Sequence, residues 1–302
     1  MPQWQGTRAL VTGASGFIGS HLARRLELLG AEVHAVSRRP RPRTGAEIWH
    51  RCDLREAGPT ADLLGTIRPG LIFHLASEVT GTRDVGMVRA MLDGNLVAAV
   101  NLLTAAAGQP VKLVFAGSVE ELRSADCVPH SPYSAAKSAA SIYARLFHHL
   151  WSVDVSVLRI AMVYGPGQRD TAKLVPYVTT ELLNGRAARI GSGSRLVDWI
   201  YIDDVIEAFI AAAESDRAAG GMYDVGSGVG VSIRDTVELL HRLAASPLTP
   251  QYGALPDRRL ERAHIADLGP TGAALGWQPR TPLVDGLKNT IAWYADQQHR
   301  KS

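Results

Sequence analysis

Three glycines spaced three residues apart follow the first apolar segment of this 302-residue chain. The pattern T-G-x-x-G-x-x-G occupies residues 12–19, and an amphipathic run from His21 to Leu29 comes directly after it. A strand, a glycine turn and a helix in this order let the backbone approach a pyrophosphate, which the amides at the helix N-terminus then face. The pattern therefore predicts a dinucleotide-binding turn, with a glycine-rich surface turn as the alternative. The residues predicted to contact the dinucleotide here are Gly13, Ser15, Gly16, Phe17, Ile18 and Gly19.

The first half of the chain alternates short apolar runs with amphipathic runs of helix length. The apolar runs lie at residues 9–11, 32–36, 71–75, 113–116 and 155–159, and the helical runs at about 18–29, 88–107 and 133–150. Repeated strand and helix units, with strands apolar on both faces, are typical of a parallel sheet covered by helices. The sequence therefore predicts an α/β fold, a doubly wound parallel sheet of the Rossmann type.

The regular alternation ends after Tyr164. Glycines and prolines become frequent there, and helical segments are separated by irregular stretches. We therefore expect a dinucleotide-binding domain over residues 1–165, joined by a returning segment at about 198–226, and a smaller substrate-binding part over 166–302.

Composition excludes several classes of protein. Hydrophobic residues make up 46% of the chain and charged residues 20%, and the net charge of +3 is too small to indicate a nucleic-acid surface. The two cysteines lack C-x-x-C spacing and the ten histidines form no ligand array, so we expect no metal and a reducing compartment. Because we find no leader and no run of about 18 apolar residues, we expect a cytoplasmic protein without a membrane segment.

The residues after the second apolar run bear on the choice of dinucleotide. Binding of NAD commonly uses an acidic residue there to accept a bond from the ribose, whereas this chain has Ser37, Arg38 and Arg39. A hydroxyl and two guanidinium groups can donate to a 2′-phosphate, so the sequence predicts NADP, used as NADPH. A solvated basic loop or a nucleic-acid patch is the alternative. Asp53, after a short apolar segment that lies between the second and third of these runs, is predicted to contact the adenine edge.

A phenol and an ammonium group stand four residues apart in the run S-P-Y-S-A-A-K at residues 131–137. On a helix this spacing places Tyr133 and Lys137 on one face, one turn apart. A nearby cation stabilises phenolate, so we expect the pKa of Tyr133 to lie below its usual value of about 10 and the phenol to exchange a proton with a carbonyl. Ser118, after the fourth apolar run, can hydrogen-bond the same oxygen. A surface pair of the tyrosine and the lysine is the alternative.

Further motifs are spread along the whole chain. They are T-G-x-x-G-x-x-G at 12–19, H-L-A at 74–76, Asn95, Ser118, Y-x-x-x-K at 133–137, Arg159, Y-G-P-G at 164–167, D-W-I-Y-I-D-D-V at 198–205 and L-G-W-Q-P at 275–279. Together they resemble the extended short-chain dehydrogenase/reductase family. The resemblance implies an enzyme acting on nucleotide sugars, with Ser118, Tyr133 and Lys137 as its triad, and often a homodimer that packs helices 88–107 and 133–150. The further cofactor contacts that it implies are Leu54, Leu75, Ala76, Ser77, Asn95, Tyr133 and Lys137.

The segment G-S-V-E-E at residues 117–121 bears on the reaction. It resembles the G-S-S-E-E-Y-G segment of GDP-4-keto-6-deoxymannose reductases more than the S-T-D-E of sugar-nucleotide 4,6-dehydratases, although Glu120 stands where dehydratases keep their base. Together with the preference for NADP, this favours NADPH-dependent reduction of the 4-keto group of a nucleotide-linked 4-keto-6-deoxysugar. The alternatives are a 4-epimerase or 4,6-dehydratase with tightly bound NAD, and a non-catalytic dinucleotide-binding regulator.

Two positions depart from the family's usual pattern. Met162 stands where an asparagine is common before the Tyr-Gly-Pro turn, and Val197 where an arginine usually holds the diphosphate of the nucleotide sugar. A diphosphate needs cations or amides around it, so other residues must supply them. The residues that we predict to bind the substrate are Glu120, Lys173, Arg195 and Arg258.

Overall fold

The computed structural model describes residues 4–41, 45–80, 82–124, 127–257 and 263–300. The chain forms two compact units. Unit 1 comprises Met1–Ile160, Ile206–Asp224 and Gly269–Trp277, and unit 2 comprises Ala161–Val205, Val225–Leu268 and Gln278–Ser302. Two later stretches of the chain thus return to the N-terminal unit.

Strands and helices alternate along the described part of the chain. The strands there are β1 (Arg8–Thr12), β2 (Glu32–Ser37), β3 (Ile48–Arg51), β4 (Leu71–His74), β5 (Lys112–Ser118), β6 (Asp154–Ile160), β7 (Met162–Tyr164), β8 (Leu196–Tyr201), β9 (Met222–Val225) and β10 (Gly230–Ser232). The α-helices there are α1 (Phe17–Leu28), α2 (Ala57–Ile67), α3 (Val88–Met91), α4 (Ala98–Ala106), α5 (Pro132–Trp151), α6 (Leu174–Leu183), α7 (Ile202–Glu214), α8 (Ile233–Leu243), α9 (Leu268–Leu275) and α10 (Leu283–His299). A 3-10 turn, Val85–Met87, precedes α3, and a π-helical turn, Leu92–Val97, joins α3 to α4.

A seven-stranded sheet in the order β3-β2-β1-β4-β5-β6-β9 forms the centre of unit 1. Parallel ladders join the neighbouring strands from β3 to β6. All four residues of β4 are buried, as expected where helices cover both faces of a parallel sheet. The predicted doubly wound parallel sheet is confirmed.

One hydrophobic cluster ties the sheet of unit 1 to α2, α4 and α5. Leu10 of β1, Leu64 of α2, Leu102 of α4 and Leu113 of β5 belong to this cluster and have no exposed surface. Full burial of a leucine side chain stabilises a fold by about 1.5–3 kcal/mol relative to exposure. These contacts fix the strands, and so they fix the loops that follow their carboxyl ends.

The helical stretch Val85–Ala106 is long and apolar enough to cross a membrane by length and composition alone. It is not an unbroken apolar run, because Arg89, Asp93 and Asn95 interrupt it. The second half of this stretch lies in the core, where Leu102 and Leu103 have no exposed surface. Core helices pass the same test, because length and composition do not report what covers the apolar residues.

The helix α5 begins where local sequence signals place its start. Ser131 is extended, and its hydroxyl accepts a hydrogen bond of 3.1 Å from the Ser134 amide, which caps the helix. Pro132 occupies the first turn, where its missing N–H costs nothing. The cap therefore fixes the turns that carry Tyr133 and Lys137.

Unit 2 contains a three-stranded sheet in the order β10-β8-β7. The strand β8 pairs in parallel with β7 and antiparallel with β10. Asp198 of β8 is 2% exposed, and its carboxylate accepts backbone N–H bonds from Ser227, Gly228 and Ala266. A single buried carboxylate thus gathers two other segments of this unit around β8.

Candidate active site

Close backbone contacts explain the three glycines after β1. Gly13 has a φ of 71°, and a Cβ there would lie 2.7 Å from the Ala76 nitrogen. A Cβ at Gly19 would lie 2.2 Å from the Gly13 carbonyl oxygen, and one at Gly16 would lie 3.2 Å from the same atom. A side chain at Gly13 would therefore displace the loop after β4, and side chains at Gly16 or Gly19 would push the start of α1 away from Gly13.

The N-terminus of α1 has free hydrogen-bonding capacity. No side chain caps it at Gly16, and its first turn contains no acidic residue. The amides of this turn and the positive end of the helix dipole suit an anion such as a pyrophosphate. A tight glycine cradle with uncapped amides fits a dinucleotide, as the sequence predicts.

The glycine turn lies where the strand order of the sheet reverses. The chain passes from β1 outward to β2 and β3, and it then returns to place β4 on the other side of β1. Ligands of doubly wound sheets bind at the carboxyl ends of the strands at such a switch point. Thr12 Oγ1 accepts hydrogen bonds of 3.1 Å from the amides of Leu75 and Ala76, which brings these predicted cofactor contacts beside the turn.

Asn95 lies in the π-helical turn and orients the loop after β4. Its Oδ1 accepts bonds from the Ser77 hydroxyl at 2.6 Å and the Glu78 amide at 3.0 Å, and its Nδ2 donates to the Glu78 carbonyl at 3.0 Å. Asn95 is 2% exposed. The residue predicted to contact the cofactor therefore bonds to the chain itself and holds the loop in place.

The residues predicted to choose the dinucleotide lie at the end of β2. Arg38 forms an ion pair of 2.8 Å with Glu78, and the Arg39 amide donates to the Ser37 hydroxyl at 3.3 Å. Both side chains of the Arg38 pair are partly exposed. The carboxylate of Glu78 thus neutralises one of the two guanidinium groups that were assigned to a 2′-phosphate.

The two residues after β3 that are predicted to contact the cofactor, Asp53 at the adenine edge and Leu54, bond to neighbouring groups. The Asp53 carboxylate accepts bonds from the Arg55 side chain and amide. These bonds hold the pKa of Asp53 below its usual value. The Leu54 carbonyl accepts a bond of 2.9 Å from the Asn101 side chain. An adenine edge at this place would meet an existing ion pair.

The structure brings Ser118, Tyr133 and Lys137 together. Ser118 is the last residue of β5, and its side chain is near enough to the Tyr133 phenol to lower the pKa of that phenol. Lys137 Nζ lies 6.0 Å from the centre of the tyrosine ring and donates a bond of 2.8 Å to the Ala116 carbonyl. The strand end and the first turns of α5 thus form one cluster from residues far apart in the chain.

The predicted lowering of the Tyr133 pKa is wrong. Burial raises the pKa of this phenol, the negative charge of Glu120 raises it further, and the hydrogen bond with Ser118 only partly offsets these effects. Burial also lowers the pKa of Lys137 to about 8. Loss of water thus disfavours the charged form of both groups, and this outweighs the attraction expected from their spacing.

Glu120 lies beside the triad and is paired with a residue that the sequence did not single out. Its carboxylate is 3.3 Å from His130 Nε2, and its backbone carbonyl accepts a bond of 2.6 Å from the Ser134 hydroxyl. The second glutamate, Glu121, is 3% exposed and was not recognised as part of the site. The double glutamate was visible in the sequence, but its burial beside the triad was not.

The predicted substrate contacts of the C-terminal half belong to unit 2. Lys173 precedes α6 and Arg195 precedes β8, and both are half-buried. Arg258 lies outside the described residues. Val197 is 5% exposed, so an apolar side chain fills the position where the family commonly has an arginine. The roles of Lys173, Arg195 and Arg258 stay predictions.

Comparison with known proteins identifies the family. Residues 9–226 match the NAD dependent epimerase/dehydratase family, and the chain belongs to it. A UDP-glucose 4-epimerase of Mycolicibacterium smegmatis is 31% identical to this chain, over 96% of this chain and 99% of that protein. Members that resemble this chain are thus nucleotide-sugar enzymes that use a nicotinamide dinucleotide.

Solved structures resemble the chain over nearly its whole length. The UDP-glucose 4-epimerase of Thermotoga maritima, solved with UDP-glucose, has a TM-score of 0.87 and 26% identity, over 97% of this chain and 100% of that chain. MoeE5 in complex with UDP-glucose and NAD has a TM-score of 0.84 and 32% identity, over 96% of this chain and 99% of that chain. The dinucleotide in the MoeE5 structure is NAD, whereas the sequence of this chain predicted NADP.

Substitution of Gly19 by alanine tests the glycine cradle. The added methyl group would meet the Gly13 carbonyl, and overpacking of this kind costs about 1–3 kcal/mol. We expect dinucleotide affinity, measured by isothermal titration calorimetry, to fall about tenfold or more. Gly58→Ala is the matched control, because a Cβ there meets nothing within 4 Å and α2 should tolerate it. Equal affinities of both variants would contradict the assignment.

Proposed function

We propose that the protein is a nucleotide-sugar 4-epimerase that retains a nicotinamide dinucleotide. The observation that carries this proposal is the cluster of Ser118, Tyr133 and Lys137 beside the glycine cradle at the switch point of the sheet. The likeness to two UDP-glucose 4-epimerases supports the same reaction over reduction. An epimerase returns the hydride that it removes, so it consumes no cofactor.

The residues of the cluster can handle the proton that accompanies hydride transfer at C4. Tyr133 takes the proton of the C4 hydroxyl as the carbonyl forms, and it returns this proton when the carbonyl is reduced from the other face. The Ser118 hydroxyl donates a hydrogen bond to the same oxygen. The Lys137 ammonium stabilises the Tyr133 phenolate, which must be present before the proton is taken and forms again after it is returned. When bound, the nicotinamide ring would serve as the acceptor and donor of the hydride.

The surroundings of the triad favour epimerisation over loss of water. A 4,6-dehydratase must also remove the C5 proton and protonate the leaving C6 hydroxyl, so it needs further acid and base groups. Glu120 offers one carboxylate. In the S-T-D-E segment of the dehydratases an aspartate precedes this glutamate, whereas here the residue is Val119, which is buried and apolar. The carboxylate of Glu121 is already bonded to Ser118 and Ser141. Epimerisation needs none of these additional groups.

Turnover of UDP-glucose in deuterium oxide separates the possible reactions. We expect UDP-galactose without deuterium at C4 or C5, because the hydride leaves C4 and returns to it, and we expect NAD to be released when the protein is denatured. Nuclear magnetic resonance and mass spectrometry of the product measure its deuterium content. Mass spectrometry of the denatured protein's supernatant identifies the released dinucleotide. A product lighter by one water with deuterium at C5 would show a dehydratase instead. Epimerisation of dTDP- or GDP-hexoses but not of UDP-glucose would support the proposed reaction and show that the substrate carries a different nucleotide.

A second candidate is the NADPH-dependent 4-ketoreductase, which the run Ser37, Arg38 and Arg39 favours. A reductase must exchange its cofactor at each turnover, so it should be purified without one and oxidise NADPH with a nucleotide 4-ketosugar.

Replacing Arg38 and Arg39 by alanine would then weaken NADPH binding and leave NADH binding nearly unchanged, since each charge-assisted bond to the 2′-phosphate contributes about 1.5–3 kcal/mol. Equal losses for both cofactors would rule this candidate out.

Removal of the Tyr133 hydroxyl tests the proton transfer. Tyr133→Phe keeps the ring but not the exchangeable proton, so kcat should fall by about 10²–10⁴ while dinucleotide affinity stays close to that of the unmodified protein. Tyr143→Phe is the control, because this residue lies on the same helix and is exposed. A Tyr133→Phe enzyme with normal kcat would move the acid–base chemistry to another residue.

We also propose that the protein is a homodimer. The helix α5 exposes Ile142, Leu146 and Leu150, which lie four residues apart and so form one stripe, and α3 exposes Val88 close by. A contiguous exposed apolar surface indicates a protein partner. A second copy of the same stripe offers a complementary apolar face, as the family resemblance implies.

Charges placed in this stripe should separate the subunits. We expect Leu146→Glu with Leu150→Glu to yield a monomer by light scattering after gel filtration, because two carboxylates would have to be buried in the contact. Leu28→Glu makes the same chemical change at an exposed position on α1 and should leave the mass unchanged. An unchanged mass of the double variant would show that another surface forms the dimer, and a monomeric unmodified protein would refute the proposal.

A further inference from the structure

Glu121 is a buried carboxylate that contacts the elements carrying the triad. It is 3% exposed. Its Oε1 accepts a bond of 2.7 Å from the Ser118 amide, and its Oε2 accepts a bond of 2.8 Å from the Ser141 hydroxyl of α5. A Cβ on Gly117 would lie 2.6 Å from the same Oε1. The end of β5 therefore leaves room for this carboxylate and bonds to it.

Charged groups face Glu121 from two neighbouring elements. Burial raises the pKa of Glu121, whereas its two hydrogen bonds, Lys137 of α5 and Arg159 of β6 all favour its ionised form. The Tyr133 phenol is also within its electrostatic reach. Arg159 has an ion-pair partner, Asp224, at 2.8 Å from its Nε, although it shares this carboxylate with Arg123 at 2.7 Å. Lys137 has its ammonium bonded to a backbone carbonyl, which carries no net charge. Glu121 is therefore placed to balance Lys137.

We propose that Glu121 is a positioning residue of the triad, whose negative charge keeps Lys137 protonated at working pH while its hydrogen bond holds the Ser118 backbone. Glu121 acts through these two residues and has no assigned contact with substrate. This inference rests on the proposed function, in which the Lys137 ammonium stabilises the Tyr133 phenolate.

The sign of the effect follows from the forces on Lys137. Burial lowers its pKa to about 8, and the charge of Glu121 acts in the opposite direction. Without this charge the pKa should fall further, so Lys137 would lose its proton at a lower pH. A neighbouring opposite charge typically changes a pKa by about 1–3 units. Because activity needs the ammonium, the alkaline limb of the pH profile should report this change.

Glu121→Gln removes the charge and can keep both hydrogen bonds. The glutamine oxygen can accept from the Ser118 amide, and its NH₂ group can donate to the Ser141 hydroxyl, which can turn to accept. We expect the alkaline limb of kcat/KM to move down by about one pH unit. Ser141→Ala is the matched control, since it removes one hydrogen bond and keeps the charge, and its limb should not move. An unmoved limb in Glu121→Gln, or an equal movement in Ser141→Ala, would overturn the proposal.

A measurement that needs no substrate tests the same coupling. Urea unfolding of Glu121→Gln, Lys137→Met and the double variant forms a double-mutant cycle. We expect Glu121→Gln to lower the midpoint clearly in the presence of Lys137 and much less in the Lys137→Met background. Equal decreases in both backgrounds would refute the pairing even if epimerase activity is found. A coupled cycle without epimerase activity would refute the proposed function and keep the pairing.

Discussion

The backbone of Gly13 lies against the backbone of Leu75 and Ala76, and the position of the whole candidate site depends on this contact. Neither strand end can move away, because Thr12 Oγ1 accepts hydrogen bonds from both amides after β4. The contact leaves no space for a Cβ at Gly13, so it requires glycine there. It also joins the start of α1 to the loop that Asn95 holds. Residues that we predict to contact the cofactor thus come from two separate segments and lie side by side.

Burial has opposite consequences for the two ionisable groups of the triad. It raises the pKa of Tyr133 and lowers the pKa of Lys137, so it disfavours the charged form of each. The same loss of water strengthens the interaction between charges that remain, since the effective dielectric constant falls. A carboxylate such as Glu121, placed inside this region, therefore affects Lys137 more than the same carboxylate would at the surface.

The choice of dinucleotide shows how tertiary contacts change the meaning of a local pattern. Arg38 at the end of β2 indicates a 2′-phosphate when only its neighbours in sequence are considered. In the folded chain the loop after β4 brings the Glu78 carboxylate to 2.8 Å from Arg38. A carboxylate repels a phosphate, so this ion pair opposes the preference that the local sequence indicates. The MoeE5 structure, to which this chain is similar, contains NAD.

The sequence by itself determined the glycine turn, the parallel α/β sheet and the spacing of Tyr133 and Lys137, because these depend on neighbours in the chain: backbone freedom at glycine, apolar periodicity and the pitch of a helix. Only the tertiary structure decided the pKa directions of the triad, the pairing of Arg38 with Glu78, and the places of His130 and Glu121. Each of these depends on how much water is excluded and on which distant segment supplies the opposing charge. A linear sequence contains the charges but not the distances between them, and electrostatic energies depend on those distances.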